Sequence, residues 1–183
     1  MPIFHSFNLS PAQYCEQFKS LVIPRPKCCP FCQSIQSFHR HGVYWPYVLD
    51  GQQEQQYVPV PRFLCRVCRH TLSILPTFVI PFFQYSVPAS LSSLRTWFSK
   101  KADTQNVPVA CLRFWRQRFY QNLSRIELFF RSRGAPDVIP TDQKEKAIKL
   151  LCMVSSLPKA ETFSQTFQDH CKRHFMARSL YHV

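Results

Sequence analysis

The sequence predicts an α+β protein, in which a small antiparallel sheet is followed by a mostly helical domain. Three observations predict it. Two cysteine doublets, Cys29-Pro30-Phe31-Cys32 and Cys65-Arg66-Val67-Cys68, bracket 32 residues, room enough for a β hairpin between two tight turns. The residues between and after the doublets are rich in aromatic and β-branched types with alternating character. From Ala89 onward, apolar residues recur instead at helical spacing.

Each C-x2-C doublet lets two thiolates from one turn reach the same tetrahedral ion, and together they supply the four sulfurs of a closed structural zinc site. The metal ligands are therefore read as Cys29, Cys32, Cys65 and Cys68, and the cofactor as Zn2+. Cys28, beside Cys29, could replace it in a C-x3-C arrangement, and iron could also occupy four cysteines. A module of about 50 residues buries too little apolar surface to fold securely alone, whereas structural zinc contributes on the order of 10–16 kcal/mol. Disulfides would need an oxidising compartment. Nine cysteines is an odd number and Met1-Pro2-Ile3-Phe4-His5 opens no secretory signal, which favours the cytoplasm.

The chain carries a formal charge of +13, with nine Lys and Arg against two acids in residues 89–135. A basic middle attached to a metal-stapled sheet points first to nucleic acid, because clustered cations gain affinity by releasing phosphate counterions. No apolar run reaches the roughly 18 residues of a membrane span, and arginine rather than lysine dominates, so a membrane partner is not expected.

In chain order, residues 1–24 hold a short helix over Ala12–Leu21, started by Ser10-Pro11. Residues 25–76 form the cysteine-bearing sheet: an aromatic run Ser37–Trp45, a turn at Asp50-Gly51, a return over Gln56–Leu64, and a third segment Arg69–Leu75. Pro59 and Pro61 within the return predict an edge strand or a bulged one. His39, His41 and His70 read as polar or phosphate-contacting residues, since four cysteines already complete a metal site. Residues 77–88 are an aromatic, proline-punctuated connector, with Phe78, Phe82, Phe83 and Tyr85 docking sheet to helices, or offering a surface to a protein partner.

Residues 89–135 form a basic, helix-turn-helix-like domain: a helix over Ala89–Lys101, a polar turn at Ala102–Asn106, and a second helix from Val107. In that second helix Val109, Leu112, Trp115, Phe119, Leu123, Ile126 and Phe130 fall on one stripe. The opposite side presents Arg113 and Gln117, suited to bidentate contacts with base edges, flanked by Arg116 and Arg118 for phosphates. Arg62, Arg66 and Arg69 add cations around the sheet and its turns. Residues 136–183 read as a helical hairpin, one helix from Thr141-Asp142 to about Ser155 and one over Ala160–Phe175, packing on the preceding domain or on a partner.

Taken together, Cys29-Pro30-Phe31-Cys32, Phe38–Tyr44, Val60–Arg69 and Leu72–Pro76 resemble the zinc ribbon of bacterial transposase-associated proteins, many of them short and catalytically incomplete. Val107–Phe119 resembles the recognition-helix pattern Val-Ser-x-x-Thr-Val-x-x-Trp-x-x-Arg-Phe that follows such ribbons. The resemblance covers about residues 25–130. Gln33 stands where the family often has glycine, and the stretch between Lys101 and Val107 is short for the usual middle helix.

The resemblance implies a zinc-stabilised DNA-binding module related to the N-terminal region of transposases, with duplex DNA as partner. The alternatives are a protein-interaction adaptor, or RNA in place of DNA. A transposase needs several carboxylates converging on magnesium. After the basic helix only Glu127, Asp137, Asp142, Glu145, Glu161 and Asp169 remain, without strands to present them, so no catalytic residues are assigned.

Overall fold

The structure, a computed structural model, describes residues 2–49, 55–99, 107–134, 138–157, 160–171 and 173–177. All the strands and one short helix lie in the N-terminal part and the longer helices follow toward the C-terminus, giving the α+β architecture expected. The Asp50-Gly51 turn and the polar turn at 102–106 lie outside the described residues.

The chain opens with β1 (Pro2–His5), which the sequence did not announce. Helix α1 (Pro11–Gln17) follows, and a single 3-10 turn (Phe18–Ser20) continues it. Its start is fixed by a reciprocal cap: the Ser10 hydroxyl accepts from the Gln13 N–H while the Gln13 side chain accepts from the Ser10 N–H. The strands β2 (Phe38–Tyr44), β5 (Val60–Cys65) and β6 (Thr71–Pro76) form the antiparallel ribbon, and β1 adds to β6 in parallel, giving the order β1-β6-β5-β2. Between β2 and β5, the short strands β3 (Tyr47–Leu49) and β4 (Gln55–Tyr57) make a separate antiparallel pair.

β1 joins because its alternation serves two cores at once. Ile3 pairs with Ile74 and packs with the cysteine-side cluster of Phe38, Phe63 and Leu72. Phe4 is buried in a second cluster with Tyr14, Val60, Leu75 and Phe78. The Tyr14 hydroxyl donates to the Pro59 carbonyl at 2.9 Å, tying α1 to the entry of β5.

The structure corrects the expected place of the proline-bearing strand. β5 lies inside the sheet, not at its edge, and the prolines are accommodated by local pairing. β6 pairs with β5 only at Arg62, Phe63 and Leu64, so Pro61 faces β2 alone and Pro59 precedes the strand. The bulge that was the other expectation is present on the partner, where the register of β2 shifts between Arg40 and Gly42.

The connector folds back on itself: Val79 bridges to Ser86, the Val87 N–H donates to the Phe78 carbonyl, and Leu49 bridges to Tyr85. Three of its four aromatics dock as expected. Phe78 packs edge-on to Tyr14, while Phe83 and Tyr85 contact Trp115. Phe82 does not dock; its backbone is left-handed (φ 66°) and its ring is fully exposed.

The helices are α2 (Val87–Phe98), α3 (Val109–Ser132), α4 (Gln143–Ser155) and α5 (Ala160–Cys171). Ser86 caps α2 and Asp142 caps α4 through their side chains. Six of the seven residues read as the stripe of α3 are buried, from Leu112 to Phe130, against α2, α4 and α5. Val109 is the exception, 49% exposed, because it is the first residue of α3, where its neighbours Pro108 and Ala110 are exposed as well. α5 ends at Cys171, earlier than the stretch to Phe175 suggested. Residues 173–177 turn back so that Phe175 and Met176 fill the helical core. Asn122 holds this segment, donating from Nδ2 to the carbonyls of Arg118 and Ala177 at 2.8 and 2.9 Å. No described helix is long and apolar enough to cross a membrane.

Candidate metal centre and basic face

The two cysteine turns have the same backbone plan. In the first, the Gln33 N–H donates to the Cys29 carbonyl at 2.8 Å; in the second, the Arg69 N–H donates to the Cys65 carbonyl at 3.0 Å. The residue closing each turn is left-handed, with φ 59° at Gln33 and 63° at Arg69. Gln33 thus takes, at a cost, the conformation that glycine adopts freely. Gln33→Gly is expected to stabilise the metal-loaded protein by about 1 kcal/mol, read as a higher urea midpoint at unchanged slope. Across the gap the Phe31 and His70 rings stack, 4.1 Å between centroids and 16° from parallel, and join the two turns.

This geometry brings Cys29, Cys32, Cys65 and Cys68 together, with all four sulfurs within 4.8 Å of one another. The Sγ atoms of Cys29 and Cys68 are 3.6 Å apart and those of Cys32 and Cys65 3.7 Å apart. A tetrahedral ion with metal–sulfur bonds of about 2.3 Å separates its sulfurs by about 3.8 Å. The spacing fits one such ion and is far too long for a disulfide. Cys28 is exposed, its thiol 3.4 Å from the Gln33 carbonyl, so Cys29 is the member of the cluster. His39, His41 and His70 are not in it.

Two hydroxyls that sequence reasoning missed complete the site. Ser34 Oγ lies 3.0 Å from Cys32 Sγ, and Ser37 Oγ lies 3.1 Å from Cys65 Sγ. Burial opposes ionisation of Cys65. The Ser34 and Ser37 hydroxyls and the N–H groups of Cys68 and Val67 outweigh it, bringing the thiol down to about 5. Ser34 also lowers Cys32, through its hydroxyl and its backbone. Cys68 is pushed up to about 12: the backbone bond at His70 favours its thiolate, but burial and the three neighbouring sulfurs prevail. Four sulfurs this close repel one another as thiolates, and a cation among them would relieve that repulsion. Serine spacing alone carries no signal for this role, because it depends on the left-handed turns at Gln33 and Gln36 that fold Ser34 and Ser37 back over the sulfurs.

The nucleic-acid candidates fall into three places. Arg113, Arg116 and Gln117 are exposed on α3 and line one open depression of about 530 Å3, together with Tyr120, Gln121 and Gln143. Arg118 lies on the opposite flank, its guanidinium 4.8 Å from the Phe114 ring centre, lining a different cavity. Arg66 and Arg69 are exposed on the second cysteine turn. Arg62 is half-buried on β5, held over the Tyr44 ring and donating to Thr71 Oγ1 at 3.3 Å. Among the described residues lining the α3 depression there is no carboxylate. Asp142, next to it, accepts from the Lys144 and Glu145 N–H groups, and Glu127 pairs with Arg131 and Lys146.

Fold and site define a class: a sheet with a four-cysteine cluster that could hold a metal ion, followed by a helical unit with a basic exposed face. A family model described as a domain of unknown function (DUF6431) matches residues 29–115, just under half of the chain. That stretch is similar to the family from the first cysteine ligand, through the connector and α2, to Trp115 of α3. No curated protein and no solved structure matches the chain.

Proposed function

We propose that this protein is a zinc-stabilised DNA-binding module, with the cysteine tetrad as staple and α3 as the element that meets duplex DNA. One observation carries the reading: Arg113, Arg116 and Gln117 share a solvent-open depression free of carboxylates among its described residues, on a chain of net charge +13. Arg113 and Gln117 then face base edges, Arg116 a phosphate, and Arg66 and Arg69 of the second cysteine turn the backbone. The resemblance of the cysteine turns and of Val107–Phe119 to transposase-associated proteins supports duplex DNA as partner. A helix-turn-helix role for α2 and α3 rests on that resemblance. The reading gives this chain no catalytic step, and Glu127, paired with two cations, is poorly disposed to serve as a magnesium ligand.

The test is fluorescence anisotropy of the zinc-loaded protein with labelled duplex over a range of salt. Affinity is expected to fall linearly on a log–log plot, and neutralising Arg116 to lower the slope by about 0.9, the share of one phosphate that no longer meets a cation. Arg113→Ala alone should relax base preference by about 1–3 kcal/mol at one position. If the protein holds one zinc per chain yet binds no duplex at low salt, the reading fails.

A further inference from the structure

Phe82 is held in a state that costs free energy twice. Its φ of 66° belongs to a region that bulky side chains rarely enter, and its ring, fully exposed, forgoes the gain of burial. Strain and an exposed aromatic ring at one residue point to a ligand that uses the ring.

Cavities flank Phe82 on both sides. The one toward the C-terminal segment, about 410 Å3, is walled mainly by apolar residues, Phe4, Ile80, Phe114 and Met176 among them, with Arg118, Gln168, Arg173 and His174 also in its lining. The other is a cleft of about 470 Å3, lined by Tyr44 and Tyr47 from the end of β2 and from β3, Thr71 and Ser73 from β6, and Phe82 and Gln84 from the connector. It combines aromatic rings, hydroxyls and an amide. Arg62 stands beside it, its guanidinium 5.9 Å from the centre of the Tyr44 ring and fixed by its bond to Thr71 Oγ1. No carboxylate is among its described lining residues.

Aromatic rings that can stack, hydrogen-bonding groups for a planar edge, and a positioned guanidinium are what an unpaired nucleotide needs. An apolar peptide side chain would make no use of the Ser73 hydroxyl or of the Gln84 amide in the lining. We propose that this cleft takes one unstacked nucleobase of a single-stranded nucleic-acid segment. Phe82 is the stacking partner, Thr71, Ser73 and Gln84 meet the base edge, and Arg62 meets the adjoining phosphate. The proposal rests on the nucleic-acid reading above and adds to it a second site, on the sheet, for strand ends, flaps or opened duplex.

The test uses the full zinc-loaded chain with three labelled probes: a short oligodeoxythymidylate, its RNA counterpart, and a blunt duplex. Phe82→Ala is expected to weaken single-strand binding about tenfold or more while leaving blunt-duplex affinity unchanged. Arg62→Gln should weaken the same single-strand binding and flatten its salt dependence. Phe82 supports no core, so the variant keeps its metal content and helical signal, and its weaker binding is not a loss of fold. Single-strand affinity unchanged in Phe82→Ala overturns the proposal. So does wild-type protein that binds duplex but neither single strand, an outcome that leaves the α3 reading standing. Failure of the wild type on all three probes sinks both. Weaker binding of the RNA than of the DNA strand, equally reduced by the variant, supports the proposal with DNA as the preferred strand, and the reverse order supports it with RNA.

Discussion

Chelating the metal, or replacing Cys65 with serine, is expected to unfold the four-stranded sheet while leaving much of the helical unit folded. The sulfurs stand at tetrahedral spacing, and the cluster built on them is small: Cys29, Phe38, Phe63, Cys65, Leu72 and Ile74, two of its six buried members being cysteines. Structural zinc in such a site contributes on the order of 10 kcal/mol, more than a core of that size supplies. The helical core contains none of the four cysteines and draws its buried side chains from α2 to α5 and residues 173–177, with Ile80 and Tyr85 of the connector. Amide exchange read residue by residue is the measurement. Protection should collapse in β2, β5 and β6 on chelation and persist in α3 and α4. Protection of β5 retained in metal-free protein and in Cys65→Ser would show that the tetrad is not a structural metal site.

The second large effect is an acid destabilisation set by His174. The ring is buried, its Nδ1 accepting the Met176 N–H at 3.1 Å and its Nε2 3.0 Å from Ser164 Oγ, with the Phe4 and Phe175 rings against it. Burial pushes its pKa down to about 3. Unfolded, the imidazole titrates near 6.5, so between the two values the unfolded chain binds a proton that the folded chain refuses. Stability is therefore complete above about pH 6.5 and falls as the pH drops toward 3. The loss from this one group is about 2 kcal/mol between pH 7 and pH 5, and about twice that by pH 3. The thiolates of the metal site also protonate in acid, so the comparison that isolates His174 is with His174→Gln, which keeps a donor for Ser164. The variant's stability, followed by denaturant unfolding, should fall less steeply over that range. Parallel profiles would mean that His174 does not carry the dependence.

The cysteine doublets were legible because ligand spacing is a local property: C-x2-C is sufficient to place two sulfurs on one ion, whatever the rest of the chain does. The helices from α2 to α5 were legible for the same kind of reason, since Leu112, Trp115, Phe119, Leu123, Ile126 and Phe130 recur with the period of the helix. β1 was hidden because four residues are too few to show a period, and what recruits Pro2–His5 is the free edge of β6. The expectation for β5, an edge strand or a bulged one, missed its place inside the sheet because proline reports only which amide is missing, and not on which side or over what length a neighbour pairs. Phe82 read as a docking residue by composition, and only its left-handed backbone turns the ring outward.

The sequence by itself determined that four cysteines can close on one ion, that sheet precedes helices, and that the cationic excess lies in residues 89–135. Each of these follows from residue type and short-range spacing. Tertiary structure alone decided that Cys29 and not Cys28 joins the tetrad and that Ser34 and Ser37 reach its sulfurs. It also decided that Arg113, Arg116 and Gln117 share one surface while Arg118 faces another, and that Phe82 borders a cleft with Tyr44 and Thr71. Those juxtapositions depend on strand register, on the sign of φ at single residues, and on which elements pack together. None of these is a property of neighbouring residues in the chain.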